Sequence, residues 1–255
     1  MLNTLGTWTF FKRETRRFLK VYMQTILSPV VSNLLFMAIF GLSLHRAIPN
    51  VEGVTYLTFL IPGLVMMGII NNAFQNPSSS MIIAKYQGII TDLLTIPLKR
   101  GEILFAMVAS AVFRGLLVGL VTFLTTAIFA QNIPFAAPLW IFVSAILVSL
   151  FFSFLGVIIG IWANEFDQVA FILNFIMTPL IFLGGVFYPI QTLPAFAQTI
   201  SQFNPMVYMI DLMRYGFTGL QTYPVLQSFA VVGGLTLITG IAAYLLMRSG
   251  WRLQT

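Results

Sequence analysis

Apolar residues in this chain come in long unbroken blocks. They fall near residues 22–44, 55–76, 103–130, 138–163, 169–187 and 225–247. Each block reaches the roughly 20 residues an α-helix needs to cross a bilayer core. The pattern predicts an all-α membrane protein with six transmembrane helices in a single domain over residues 1–255. The two halves show no internal repeat, and no segment is of low complexity.

Between the blocks the pattern changes in three places. In residues 1–21, Trp8, Phe11, Thr15, Phe18 and Tyr22 recur at spacings of three and four, while Lys12, Arg13, Arg16 and Lys20 fall largely elsewhere. That predicts an amphipathic helix lying in the membrane interface. In residues 77–102, Asn76-Pro77-Ser78-Ser79-Ser80 ends the second block, and Gly88 and Pro97 bracket a short helix that Pro97 stops. Residues 188–224 are semi-apolar and interrupted by Pro189, Pro194 and Pro205. They predict two short helices unable to cross, of the re-entrant or interfacial kind.

Composition supports the membrane reading: 58% of residues are hydrophobic and only 8% charged, against about 25% charged in an ordinary globular domain. The charges also carry an orientation. The N-terminal segment (Lys12, Arg13, Arg16, Arg17, Lys20), the 77–102 loop (Lys85, Lys99, Arg100) and the tail (Arg248, Arg252) hold ten cations, whereas the alternate loops hold two, Arg46 and Arg214. The positive-inside rule then puts both termini and the 77–102 loop in the cytoplasm. The net charge of +6 is explained by this bias and does not call for nucleic acid. The N-terminus does not read as a cleavable signal, because its cations follow Trp8-Thr9-Phe10-Phe11 and the next apolar run is too long.

Candidate chemistry is sparse. There is no Cys, one His (His45) and seven acids, so no thiol chemistry and no three- or four-ligand metal cluster is expected. No Lys follows a Gly, which excludes a P-loop ATP site. Ser43 and His45 sit at the outer end of the first block and make no nucleophile elbow. Glu165 and Asp167 are expected to cap the fifth span. Within the spans, Arg114 is the costly residue. It reads either as a contact to an anionic substrate or gate, or as a buried partner for a carboxylate or a side chain snorkelling to the interface. Asn71, Asn72 and Gln75 form a polar group that lines a path or caps helices. Gly115/Gly119 and Gly156/Gly160 have the four-residue spacing of close helix contacts, and Pro62, Gly63 and Pro179 are expected to bend their helices.

Two stretches carry a resemblance. One is Asp92-Leu93-Leu94-Thr95-Ile96-Pro97-Leu98-Lys99-Arg100-Gly101-Glu102-Ile103. The other is Gly184-Gly185-Val186-Phe187-Tyr188-Pro189-Ile190, followed by Leu193-Pro194, Phe203-Asn204-Pro205-Met206, Tyr208, Asp211 and Arg214. In this order and topology the chain resembles the membrane (permease) subunit of type-2 ABC exporters, the ABC-2 permease family. The resemblance implies a stand-alone transport subunit that is not itself an enzyme, with ATP and Mg bound by a separate ABC ATPase present in two copies. It implies a permease homodimer in the bacterial inner membrane. It makes residues 1–21 a connecting helix, 77–102 the loop with the coupling helix, and 188–224 an extracellular re-entrant segment. Tyr86, Gln87, Gly88, Asp92 and Leu93 would dock the ATPase. Glu14 would pair with a cation such as Lys99 or Arg100 to transmit movement, and Phe187 and Tyr188 would form the outer gate. Asn71, Asn72 and Arg114 are candidates for the substrate path. The 25 Phe residues favour an amphipathic or lipid-like cargo among the drugs, lipids and glycans such exporters move. Competing readings are a self-contained ion-coupled carrier, which would want buried acids where this chain has loop acids, a lipid-modifying enzyme, which would need convergent His, Asp or Glu, and a structural subunit without transport.

Overall fold

The computed structural model describes residues 3–44, 50–88, 98–130 and 132–252. Helix α1 (Thr4–Lys20) leads through a π-helical turn, Met23–Leu27, into α2 (Ser28–Leu44). A two-residue hairpin, Asn50–Val51 with Val54–Thr55, precedes α3 (Tyr56–Tyr86). Its turn is Glu52-Gly53, both at positive φ (49° and 91°), the geometry that matches strand twist in tight hairpins. Then come α4 (Arg100–Ala127) and α5 (Pro138–Trp162). Helix α6 (Phe166–Phe171) joins α7 (Thr178–Phe182) through a second π-helical turn, Ile172–Met177. The short α8 (Ala195–Gln202) and α9 (Pro205–Thr218) lead to α10 (Val225–Ser249).

Among the described residues, five helices are long and apolar enough to cross a membrane: Met23–Gly41, Tyr56–Tyr86, Arg100–Ala127, Pro138–Trp162 and Val225–Ser249. The fifth predicted block, 169–187, yields a shorter apolar helix, Phe166–Phe182. At 1.5 Å per residue its length is about 25 Å, below the roughly 30 Å of a bilayer core.

The core is built around α3, whose apolar stretch is 89% buried inside the subunit, against 22% and 17% for the outlying α2 and α10. Helices α4 and α5 flank α3 most extensively, α9 covers it at one end, and α10 packs on α5. Small residues allow the close approach. A Cβ on Gly119 would come within 2.6 Å of Ile69, and one on Gly160 within 3.0 Å of the Ser78 backbone. Both glycine pairs expected to make contacts therefore do so, and both face α3.

Helix α3 also departs from expectation. The sequence pattern ends the second span at Asn76-Pro77, whereas the helix continues to Tyr86. Proline removes a backbone donor and crowds the preceding turn. Here the helix continues through it, with side-chain donors on neighbouring carbonyls: the Ser78 hydroxyl donates to Phe74 O (2.9 Å) and that of Ser79 to Asn76 O (3.1 Å). Beyond the proline, Lys85 Nζ donates to Ile161 O (2.5 Å) and Ala163 O (2.7 Å), and Arg252 donates to Trp162 O (3.0 Å). Two cations thus close the carbonyl end of α5, where orphan C=O groups and the helix dipole favour them.

The amphipathic first helix is present, with a different stripe turned to the protein. Its buried residues are Phe10, Glu14 and Phe18, an i, i+4, i+8 row, while Trp8 and Tyr22 are exposed. Glu14 stands outside the predicted apolar stripe, and its burial depends on Ser80, a partner far along the chain.

Candidate functional site

The chemistry-bearing residues gather at the two ends of α3, which its 31 residues set about 45 Å apart, with a third group between them.

At the α1 end, Glu14 is 1% exposed. Its carboxylate accepts from Arg13 and Arg17 (both 3.2 Å) and from the Ser80 hydroxyl (2.7 Å). Arg17 continues into α3, donating to Asn76 O (2.8 Å), Asn76 Oδ1 (3.1 Å) and Ser79 Oγ (3.3 Å). Asn76 in turn donates to Ser110 of α4 at 3.1 Å. The expected pairing of Glu14 with Lys99 or Arg100 is therefore not the one observed. Those residues serve the start of α4 instead. Glu102 accepts from the backbone N–H groups of Lys99 and Asn3, both at 2.8 Å. Arg100 donates to Met247 O (3.2 Å) and to Arg248 O at the end of α10. The Glu14 cluster wins because α3 runs past Pro77 and brings Ser80 under α1.

Close by, Tyr86 ends α3 and stacks with Phe166 (6.2 Å), Gln87 closes the helix, and Gly88 turns the chain at φ +67°. Asp92 and Leu93, like His45, lie outside the described residues. Glu165 stands at the N-cap position of α6 without a side-chain bond to that helix, and Asp167 lies in its first turn.

Midway along α3, Arg114 is 5% exposed and donates twice to Asn72 Oδ1 (3.1 and 3.0 Å). The partner is an amide and not the carboxylate considered from sequence. Asn72 returns its own N–H to Gly68 O (3.0 Å). Gly68, Asn72, Asn76 and Ser80 form one i, i+4 row on α3, facing Ser110, Arg114 and Thr122 on α4. Asn71 is half-buried beside this row, with its side-chain oxygen buried and unpaired.

At the other end of α3, the segment 184–190 is held from two sides. The Tyr56 hydroxyl donates to Phe187 O (2.8 Å), and Arg214 of α9 donates to Gly185 O (2.6 Å) while stacking over Phe59 at 4.0 Å. Gly185 takes φ +81°, which a side chain would strain. Phe187 is buried against Phe36, Phe40 and Phe182, with ring centroids 4.3–5.6 Å apart; Tyr188 is half-buried. Asn204 caps α9 by accepting from Met206 N (3.0 Å) and donates to Leu180 O (2.8 Å). Asp211 accepts from the backbone N–H groups of Thr222 (2.7 Å) and Tyr223 (3.1 Å). Burial raises the Asp211 carboxyl above its ordinary value against those two donors, and burial lowers the Arg214 guanidinium to about 10 despite the Asp211 carboxylate.

The sequence pattern describing the ABC-2 type transporter family matches residues 6–218, which run from α1 through α9 and take in all three groups. The chain belongs to the ABC-2 type transporter family. Among its relatives is the inner membrane transport permease YadH of Escherichia coli, 39% identical over 226 residues that cover 88% of this chain and 87% of the relative. Nodulation protein J of Rhizobium leguminosarum bv. viciae is 25% identical over 84% of this chain and 81% of its own. Nodulation protein J of Rhizobium meliloti is 23% identical over 83% and 80%.

For an ABC-2 membrane subunit, the 184–214 motif is thereby given a structural meaning. Its glycines, Asn204 and Arg214 build a loop pinned to α3 and α9. Sequence reasoning missed Arg17 and Ser80 as partners of Glu14, Asn76 as the partner of Arg17, and Tyr56. The signal was available in the four-residue spacing of Asn72, Asn76 and Ser80, a polar row inside an otherwise apolar helix.

Proposed function

We propose that this chain is the membrane permease of an ATP-driven exporter, powered by two copies of a separate ABC ATPase that bind ATP and Mg, and that it works as a homodimer in the bacterial inner membrane. It carries an amphipathic, lipid-like, drug or glycan cargo outward. Phe166–Phe182 together with the residues up to Tyr188 serves as the fifth of six spans, which puts both termini in the cytoplasm and α8–α9 on the outer side as a re-entrant pair. The inner-membrane permease name of the Escherichia coli relative supports the location.

The observation that carries the reading is the buried Glu14–Arg17–Asn76–Ser80 cluster. It fixes the interfacial helix α1 to α3 two turns before the Tyr86–Gly88 end, where the loop of the docking motif begins. A pull applied to that loop by an ATPase moves α1, α3 and α4 as one body. The far end of α3 carries Tyr56 and therefore the 184–190 loop, so the same displacement reaches Phe187 and Tyr188 as outer gate. ATP drives the cycle only by binding one of the two arrangements better than the other.

The test is copurification. Expressed with its genomic neighbours, the tagged permease retains an ATPase, and Gly88→Val or Asp92→Ala lowers the ATP turnover of the complex at least several-fold without unfolding the permease. Failure of any nucleotide-binding protein to associate would remove the motor and favour an ion-coupled carrier.

A further inference from the structure

Two cavities meet where α1, α4 and α10 come together. One, of about 750 Å³, is lined mainly by the apolar or aromatic Trp8, Phe11, Phe105, Ala109 and Tyr244. The other, of about 330 Å³, is lined by Lys99, Arg100 and Arg248, with no acid among the described residues that line it. They share Lys99, Gly101 and Tyr244, so they form one groove with an apolar arm and a cationic arm. The acid bordering the apolar arm is Glu102, whose oxygens accept from the Asn3 and Lys99 backbone N–H groups; it offsets part of the Lys99 charge, so the described lining of the groove sets three cations against one acid. Trp8 is 53% exposed and Phe105 67%, so the apolar arm is open to the surroundings beside α1. Lys12 sits over the Trp8 ring at 5.4 Å, adding a cation at the rim.

An elongated molecule with an acyl end and an anionic end matches this groove. Lys and Arg clusters beside a membrane helix attract anionic headgroups, and aromatic rings with a polar edge sit at headgroup depth. We propose that the α1–α4–α10 groove is a binding site for one anionic phospholipid of the leaflet in which α1 lies. The phosphate rests among Lys99, Arg100 and Arg248, and an acyl chain runs between Trp8 and Phe105. The site is separate from the Glu14 cluster and from the outer loop, and it does not depend on the chain being an exporter. The lipid would join the start of α4 to the end of α10, a junction held within the protein by the Arg100 bonds to Met247 O and Arg248 O.

Fluorescence quenching tests it, because the chain has only four Trp. With Trp140, Trp162 and Trp251 each changed to Phe, Trp8 reports alone in reconstituted vesicles. Dibrominated phosphatidylglycerol is expected to quench Trp8 at mole fractions several-fold lower than dibrominated phosphatidylcholine. Lys99→Gln with Arg248→Gln should make the two curves coincide; Arg100 is retained because it ties α4 to α10. Arg16→Gln with Lys20→Gln, on the same helix but outside the groove, should leave the preference intact. Equal quenching by the two lipids in the parent protein, a preference that survives loss of Lys99 and Arg248, or one lost equally with Arg16 and Lys20 would each overturn the site. The last outcome would reduce it to general attraction between a basic helix and an anionic surface.

Discussion

The residue that decides the α1 end is Glu14. A carboxylate taken from water is costly, and it is tolerated only when its lone pairs are filled and a counter-charge is close. Arg13, Arg17 and the Ser80 hydroxyl meet both conditions. Arg13 and Arg17 remain partly exposed, which weakens the Coulombic part and leaves the hydrogen bonds as the main contribution. Glu14→Gln is therefore expected to destabilise the purified permease by about 1–3 kcal/mol, read as a Tm lower by several degrees. Lys99→Gln should leave Tm nearly unchanged. In a double-mutant cycle, Glu14→Gln and Arg17→Gln together should cost less than the sum of the two, because they share one interaction. Strict additivity would mean that the pair does not hold α1 to α3.

At the scale of elements, five of the six hydrophobic blocks correspond to long helices in the expected order, since a run of 20 apolar residues in lipid has no alternative to helix, and the fifth block, 169–187, corresponds to the shorter Phe166–Phe182. They did not give the end of α3. Pro77 is a strong local stop signal, and it is overridden by tertiary structure: the Ser78 and Ser79 hydroxyls occupy carbonyls around the break, and the α5 glycines make room for the disturbed turn. The burial of Glu14 was hidden for the same reason, because its α3 partner Ser80 lies on the part of that helix the pattern had read as loop. The hairpin before α3 was also not foreseen, although Glu52-Gly53 between two valines is a turn signal. The fit of α5 against α3 predicts an asymmetry between glycines. Gly160→Ala would meet Met81 Cβ at 2.8 Å and the Ser78 backbone at 3.0 Å, and overpacking of that kind costs about 1–3 kcal/mol. Gly233→Ala in α10 meets nothing within 4 Å and is expected to be neutral or to stabilise by about 0.5–1 kcal/mol through reduced backbone entropy. Thermal unfolding of the two variants side by side checks this. A loss at Gly233 equal to that at Gly160 would show that α10 also packs tightly, against something outside the subunit.

For the whole molecule, the decisive property is orientation, because the proposed motor end and gate end exchange roles if the chain is inverted. The positive-inside argument rests on ten cations against two, and the fold sharpens it. Most of the cation-rich segments converge on one end of the helical bundle: α1 lies against the C-terminal turns of α3, Arg100 bonds the end of α10, and Lys85 and Arg252 close α5. The opposite end holds Arg214, and its charge is spent inside the protein on Gly185 O and the Phe59 ring. Moving the cationic end across the membrane potential would cost about 2.3 kcal/mol per charge per 100 mV, so reversal is strongly disfavoured once the cations are folded together. The absence of cysteine makes the arrangement directly measurable with single-cysteine variants. Gln191→Cys and Gln221→Cys, at the α8–α9 end, are expected to react with a membrane-impermeant maleimide in intact spheroplasts. Arg16→Cys and Ser249→Cys should react only after the membrane is opened. The reverse pattern would put the Glu14 cluster outside the cell, out of reach of any ATPase, and the coupling route from α1 through α3 to the outer loop would have no source of force.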